Sequence, residues 1–391
     1  MIRRVIIAAM VAAAVMGALG WTGTYASGLQ RPRALAAGCT RGALKPITVG
    51  SQPGPIVITP DGKTAYVANA NSRTVTPIRI ATNTALTPIK VGSTPNAMAI
   101  TPDGATLYVA EYLPRGKVVP IRTATNTALT PIKVGYFPTA ITVTPDGRTV
   151  YVVNSSSKGT VTPIRVATNR PLKPITAGAP AVLPTITVTP DGTTAYLTTD
   201  NSVTPIRTAT NTALKPVKVG GPDPRDIAIA PDGKTAYVTV FSSGTVVPIR
   251  TATSTALKPI KVGSRPIAVA ITPDGRTAYA TSVTANPYSS PGLVTPIRTA
   301  TNTALRPVKV GHGPAAIAIT PDGGTAYVAD YEGNTVAPIR TSTNTALKLI
   351  KVGHQPEYLA ITPNGRTVYA VNYTSDDGPG TVTPIRNCPS G

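Results

Sequence analysis

The chain has 391 residues, with 37 Lys and Arg against 16 Asp and Glu, 41 Pro, 34 Gly and two Cys. This Pro and Gly content, with aromatics at 5%, excludes a mainly helical protein, and 41% apolar residues exclude general disorder. A formal charge of +21 points to a polyanionic partner, whether nucleic acid, acidic polysaccharide or an anionic surface, without choosing among them.

Residues 1–36 read as a secretory signal peptide. Arg3 and Arg4 precede an apolar run over 5–20, and a polar stretch ends in Ala34-Leu35-Ala36, a small-residue cleavage site. The run is short for a membrane span and no other segment competes, so a secreted, extracellular protein without a transmembrane segment is expected. The paired arginines leave a twin-arginine route open beside the general one. Ala36-Ala37-Gly38-Cys39 resembles a lipoprotein box but lacks its large aliphatic residue. Cleavage removes four arginines and no acid, leaving 33 basic residues against 16 acids, or +17.

From there the chain repeats one unit. Pro-Asp-Gly begins at Pro60, Pro102, Pro145, Pro190, Pro231, Pro273 and Pro321, and Pro-Asn-Gly at Pro363, a period near 43 residues. Such a period marks a solenoid or a propeller. Each unit holds four short β-type runs, in the second copy over 96–101, 107–110, 117–122 and 129–134. Pro-Asp-Gly makes one tight turn, because Pro presets φ and Gly accepts a positive one; Thr-Asn-Thr-Ala makes the other. Prolines inside Val-Thr-Pro-Ile-Arg and Lys-Pro-Ile-Lys would break helices but fit outer strands. Four antiparallel strands per unit describe a propeller blade, so the fold class is all-β, an eight-bladed β-propeller forming a single domain over 37–391.

Ala-Tyr-Val-Ala-Asn at 65–69 and Val-Tyr-Val-Val-Asn at 150–154, each following Pro-Asp-Gly, resemble the YVTN-type β-propeller repeat, and the resemblance covers 43–386. It implies a propeller fold. For function it implies less, because the family mixes surface-layer components, binding propellers and a few enzymes, some of them secreted and polysaccharide-degrading. The fourth copy carries a divergent inter-blade loop, 179–184. The chain begins with an outer strand at 43–50 and ends with three strands of a blade, so the first strand is expected to complete the last blade. Aligned to the seventh copy, Cys39 and Cys388 both fall at the position of Ser342. Two halves of one interrupted turn lie side by side, which favours a Cys39–Cys388 disulfide over a free or lipidated Cys39.

Strand order divides the molecule into two faces. The Pro-Asp-Gly and Thr-Asn-Thr-Ala turns make a monotonous face, and the inter-blade and second-to-third-strand loops make a decorated one. Seven aspartates are turn residues; the other nine acids are expected in or beside the decorated loops. Tyr66, Tyr108, Tyr151, Tyr196, Tyr237, Tyr279, Tyr327 and Tyr369 are core positions of the repeat, whereas Tyr112, Tyr136, Tyr288, Tyr331, Tyr358 and Tyr373 depart from it. Arg79, Arg122, Arg165, Arg207, Arg250, Arg298, Arg340 and Arg386 recur on third strands, and Lys90, Lys133, Lys218, Lys261, Lys309 and Lys351 on fourth strands, as solvated outer rings that keep edges soluble. Arg73, Arg115, Lys117, Lys158, Arg225 and Arg265 lie instead on or near the decorated face. With Tyr112 and Tyr136 they are the candidate contacts for carboxylates or sulfates.

Loops carried on a rigid scaffold are where function gathers. The richest set is expected where blades 7 and 8 meet: His312, Asp330, Tyr331, Glu332, His354, Glu357, Tyr358, Tyr373, Asp376 and Asp377. His or Glu would act as base or acid, and Tyr would protonate a leaving oxygen. Both hydrolysis and elimination fit, and so does the plain reading of polar loop residues. Two His and a carboxylate could also hold a metal, though no ligand spacing supports one, and no cofactor is expected. Phosphate-loop, nucleophile-elbow, zinc and dinucleotide patterns are absent from the sequence. Nucleic-acid binding by stacking and phosphate contact stays open without a motif. The leading expectation is a monomeric secreted propeller that binds an acidic polysaccharide such as hyaluronan and depolymerises it as a hyaluronidase-type hydrolase or lyase. The alternative is a non-catalytic surface propeller.

Overall fold

The computed structural model describes residues 39–156, 158–373 and 378–388. The expected signal peptide, Asp376 and Asp377 lie outside the described residues. Eight antiparallel sheets follow one another along the chain, with no α-helix among the described residues. Seven are built from consecutive segments. The eighth takes Pro356–Ile361, Thr367–Asn372 and Pro379–Arg386 from the end of the chain, and its outer strand, Gly42–Ala43 and Ile47–Ser51, from the start. Gly42 pairs with Arg386 and Ile47 with Val382, so the ring closes as expected.

In blade 2 the first three strands run Pro95–Ile100, Thr106–Glu111 and Lys117–Arg122. The fourth, expected as one run, is two short pairs, Thr127–Ala128 and Ile132–Lys133. Val118 faces Ile132 and Ile121 faces Ala128, so three outer residues span two on the third strand, which is a bulge. Both prolines sit there. Pro120 turns its carbonyl outward to accept the Leu129 N–H at 2.8 Å. Its missing N–H falls on the same side, where the bulge asks for no donor. Blade 7 carries Leu349 in place of the outer proline and splits in the same way, so the register shift and not the proline sets the break. In the fourth copy the innermost strand shortens to Ile186–Val188, and Pro180 of the divergent loop bridges to Thr199.

Blades pack face to face through Val, Ile, Leu and Ala; Val57 and Val75 of blade 1, for example, share a cluster with Met98, Leu107 and Val119 of blade 2. Each repeat tyrosine is buried and adds a polar tie to the next blade. Tyr66 donates to Asn126, Tyr108 to Asn169, Tyr151 to Asn211, Tyr237 to Asn302 and Tyr279 to Asn344, at 2.6–2.8 Å. Those asparagines hold the left-handed position of the Thr-Asn-Thr-Ala turn, which is Thr-Asn-Arg-Pro at Asn169, near φ +52°. The belt closes through Tyr369 to Asn83 at 2.6 Å, from blade 8 to blade 1.

At the chain junction Asn387 takes the Tyr327 hydroxyl at 2.6 Å, and Arg41 donates to the Cys388 carbonyl at 2.7 Å with its guanidinium over the Tyr327 ring. Cys39 and Cys388 form the expected disulfide, with Cα atoms 5.9 Å apart and 349 residues of sequence between them. Among the described residues no helix is long and apolar enough to cross a membrane.

Candidate functional site

Four of the expected ligand contacts converge on the decorated edge of blade 2. The loop after its second strand zips onto the loop leading to blade 3, where Phe137 N–H donates to Leu113 and Val134 N–H to Gly116 at 2.7–3.0 Å, and Tyr112 N–H ties it to Thr94, in the loop entering blade 2, at 2.9 Å. Gly116 allows the approach, since a Cβ there would lie 2.5 Å from Pro138 Cδ and closer still to the Gly135 carbonyl oxygen. Phe137 accepts a left-handed φ of 49° and sets its ring 5.1 Å from that of Tyr112.

The result is an open depression of about 730 Å³ lined by Leu113, Pro114, Arg115, Gly116, Lys117, Lys133, Val134, Gly135 and Tyr136. Tyr136 is 59% and Tyr112 42% exposed. Lys117 faces Lys133 across the third and fourth strands, and Glu111 on its other side. Glu111 is buried and accepts the Ser93 N–H at 2.8 Å; burial raises its carboxyl, against that bond and the Lys117 charge. None of Arg115, Lys117 and Lys133 forms an ion pair among the described residues.

Lys133 belongs by its period to an outer ring, yet it completes this cluster. The cross-strand register with Lys117 was the signal that could have found it. A second cavity, about 600 Å³, opens on the outer rim between Leu129–Lys133 and Thr168, Asn169 and Pro171.

The other expected contacts are scattered. Arg73 and Arg265 are exposed loop residues with left-handed φ, and neither lines the depression. Arg225 belongs to the innermost strand of blade 5, where it bonds Asp223 at 2.6 Å and lies 4.3 Å over Phe241. Asp226, expected beside a loop, is buried on that strand. Its two oxygens accept Ile227 N–H at 2.8 Å and Val269 N–H of blade 6 at 2.9 Å, and burial pushes its carboxyl up to about 6.

At blades 7 and 8 the expectation needs a further correction. Glu357 and Tyr358 are buried residues of the innermost strand, not loop residues; Glu357 sits at its bulge because the position after Pro356 is the extra one. Glu357 Oε1 has no hydrogen-bond partner, and burial raises the carboxyl far above its usual range. Asp330 ends the second strand where other copies place Asn69, Asn154 and Asn372, each of which bonds threonines across the hairpin. Asp330, fully buried, instead accepts the Thr335 hydroxyl at 2.9 Å, and burial pushes its carboxyl up to about 8.

Tyr331 is raised by burial and by the neighbouring charges of Glu357 and Glu332, with Tyr373 and Tyr288 close by. Glu332 is raised by burial and held back by His354. His312 accepts the N–H groups of Glu332 and Gly333 at its carbonyl, both at 3.1 Å. These loops therefore do gather. Burial raises their deepest carboxyls, while His354 is exposed and Glu332 partly so. Among the described residues no three His, Cys, Asp or Glu side chains sit close enough to hold a metal.

No protein-family model and no curated protein matches the chain. Solved structures do. A Kuenenia stuttgartiensis hydrazine synthase chain matches with a TM-score of 0.61 at 22% identity, over 88% of this chain and 98% of that one. The dihydro-heme d1 dehydrogenase NirN matches at 0.62 and 14%, over 76% and 66%. A functionally unknown protein from Desulfotomaculum acetoxidans matches at 0.60 and 16%, over 80% and 100%. Likenesses at such identities establish a β-propeller, and they carry no chemistry.

Proposed function

We propose that this is a secreted propeller of the YVTN type that binds an acidic polysaccharide such as hyaluronan through the depression between blades 2 and 3. One observation carries the reading: Arg115, Lys117 and Lys133 converge, without ion pairs among the described residues, around an open cavity beside an exposed Tyr136. Arg grips a uronate carboxylate bidentately, Lys acts as a point charge, and the Tyr face packs on a sugar ring. Export is supported by the leader pattern and by the disulfide, which persists in oxidising compartments. Depolymerisation is the second reading, favoured by Glu332 lying within reach of the His354 charge on the same face.

The test is hyaluronan binding at rising salt by wild-type protein and by R115A/K117A/K133A, with polymer length followed by size-exclusion chromatography and unsaturated product by absorbance. Salt-sensitive binding that falls about tenfold or more in the variant is expected, since each bond to a charged group contributes on the order of 1.5–3 kcal/mol. Equal binding by both proteins overturns the site. Chain shortening that disappears in His354→Ala supports the second reading, and unchanged length withdraws it.

A further inference from the structure

We infer that the monotonous turn face is a second interaction surface, one that docks flat on an anionic lipid bilayer. The third strand of every blade ends in an exposed arginine at one register position: Arg79 pairs with Thr64, Arg122 with Thr106 and Arg250 with Thr235, and so on to Arg386 with Thr367. That end of the strand lies beside the Pro-Asp-Gly turn, as the hydrogen bonds from Ile80 to Lys63 and from Thr251 to Lys234 show.

Neighbouring turns nest through one repeated contact. A Cβ on Gly104 would meet Pro60 Cδ at 3.0 Å, and one on Gly62 would meet Pro363 Cδ at 3.3 Å, which carries the contact round the whole ring. Identical blades in a closed ring set equivalent residues at equal height, so the eight arginines lie in one plane.

With Arg170 and the five basic residues that follow a turn glycine, the turn face carries fourteen basic residues against seven aspartates. On the decorated face six basic residues stand with seven described acids, of which Glu111, Asp226, Asp330 and Glu357 are buried, and the six fourth-strand lysines lie at its rim. Three turn aspartates are matched locally, to Lys63 at 3.4 Å and to Arg148 and Arg276 at 3.8 Å. The eight arginines have no ion pair among the described residues.

A closed ring of cations at one height suits a sheet of charge, which meets all eight arginines at once. A single extended polymer would meet only a few. The exposed large apolar side chains, Tyr112, Tyr136, Val182, Tyr288 and Leu349, all lie on decorated loops or outer strands, so the turn face adsorbs electrostatically without inserting.

The experiment is sedimentation of the protein with vesicles of phosphatidylcholine alone or mixed equally with phosphatidylglycerol, at rising salt. The wild type is expected to bind only the anionic vesicles. R79Q/R165Q/R250Q/R340Q, which removes every second arginine, should weaken that binding well beyond tenfold, at about a factor of five per charge, and flatten its salt dependence. R115A/K117A should bind vesicles like the wild type. A melting temperature within a degree or two of wild type shows that the fourfold variant is folded. Undiminished vesicle binding by that variant, or equal binding to phosphatidylcholine alone, overturns the inference. Hyaluronan held by the arginine ring more tightly than the vesicles would also overturn it, by making the ring a polymer site.

Discussion

Replacing Cys388 with Ser cuts the staple and leaves the strand closure in place. The bond joins residues 349 apart. In the chain-entropy relation a loop of that length restrains the unfolded chain by on the order of 5–6 kcal/mol, while measured values more often fall near 2–4. Gly42–Ala43 and Ile47–Ser51 remain hydrogen-bonded to the last strand in the variant, and Arg41 keeps its bond to the backbone carbonyl of residue 388, so the native state changes little. The loss is therefore an unfolded-state effect. Unfolding entropy for a domain of this size is about 0.7 kcal/mol/K, so a loss of about 3–5 kcal/mol lowers the melting temperature by about 4–7 °C. Calorimetry at one scan rate should show that drop for Cys388→Ser under oxidising conditions. Reductant should bring the wild type down to the variant and leave the variant unmoved. Equal melting temperatures for the variant and the oxidised wild type, with thiol titration confirming the bond in the latter, would refute the reasoning.

Tyr151→Phe removes the hydroxyl that bonds Asn211 at 2.7 Å and should cost about 1 kcal/mol, or 1–2 °C; Tyr196→Phe, whose contact to Ser254 is 3.4 Å, should cost less, and the reverse order in melting would discredit the belt. Asp226 has its carboxyl pushed up to about 6 by burial, so between about pH 4 and 6 the unfolded chain loses this proton first and stability falls as pH rises, levelling above 6. Asp226→Asn should flatten that segment of a urea-melt pH profile relative to wild type, and parallel profiles would refute the assignment. Gly116→Ala forces the backbone away from Gly135 and Pro138, so it should weaken polysaccharide retention while shifting the melting temperature by only a few degrees; unchanged retention would show that the zipped loops do not position Arg115 and Lys117.

The fold was legible because the repeat states each local choice eight times. Pro-Asp-Gly fixes one turn, the asparagine of Thr-Asn-Thr-Ala fixes the other, and the phase between the two chain ends fixes the closure at Cys39 and Cys388. The split outer strand was less legible: its apolar pattern reads straight through Leu129 to Val134, and only the register against Val118 and Ile121 exposes the extra residue. The second role of the tyrosines was hidden for a related reason. A period places Tyr66 in the core, whereas its hydroxyl's partner, Asn126, belongs to the next copy and is close only once the blades pack.

The candidate site shows the limit of reading departures from a repeat as function. Asp330 departs from Asn69, Asn154 and Asn372 in residue type and accepts from Thr335 where they donate to threonines, but it keeps their buried place at the end of the strand. Arg225 departs and then satisfies its charge within its own blade against Asp223 and Phe241. Lys133 errs in the opposite direction: it keeps the period exactly as an outer-ring lysine would, and it joins a cluster because the neighbouring loop brings Arg115 and Lys117 beside it. The same logic applies to the arginines of the turn face. Each alone is an ordinary exposed residue, but a closed ring converts one residue per blade into a plane of eight charges without an ion pair among the described residues. In a repeat protein the departures and the repeated positions must therefore both be weighed as surface, and here the repeated ones carry the larger share of the charge.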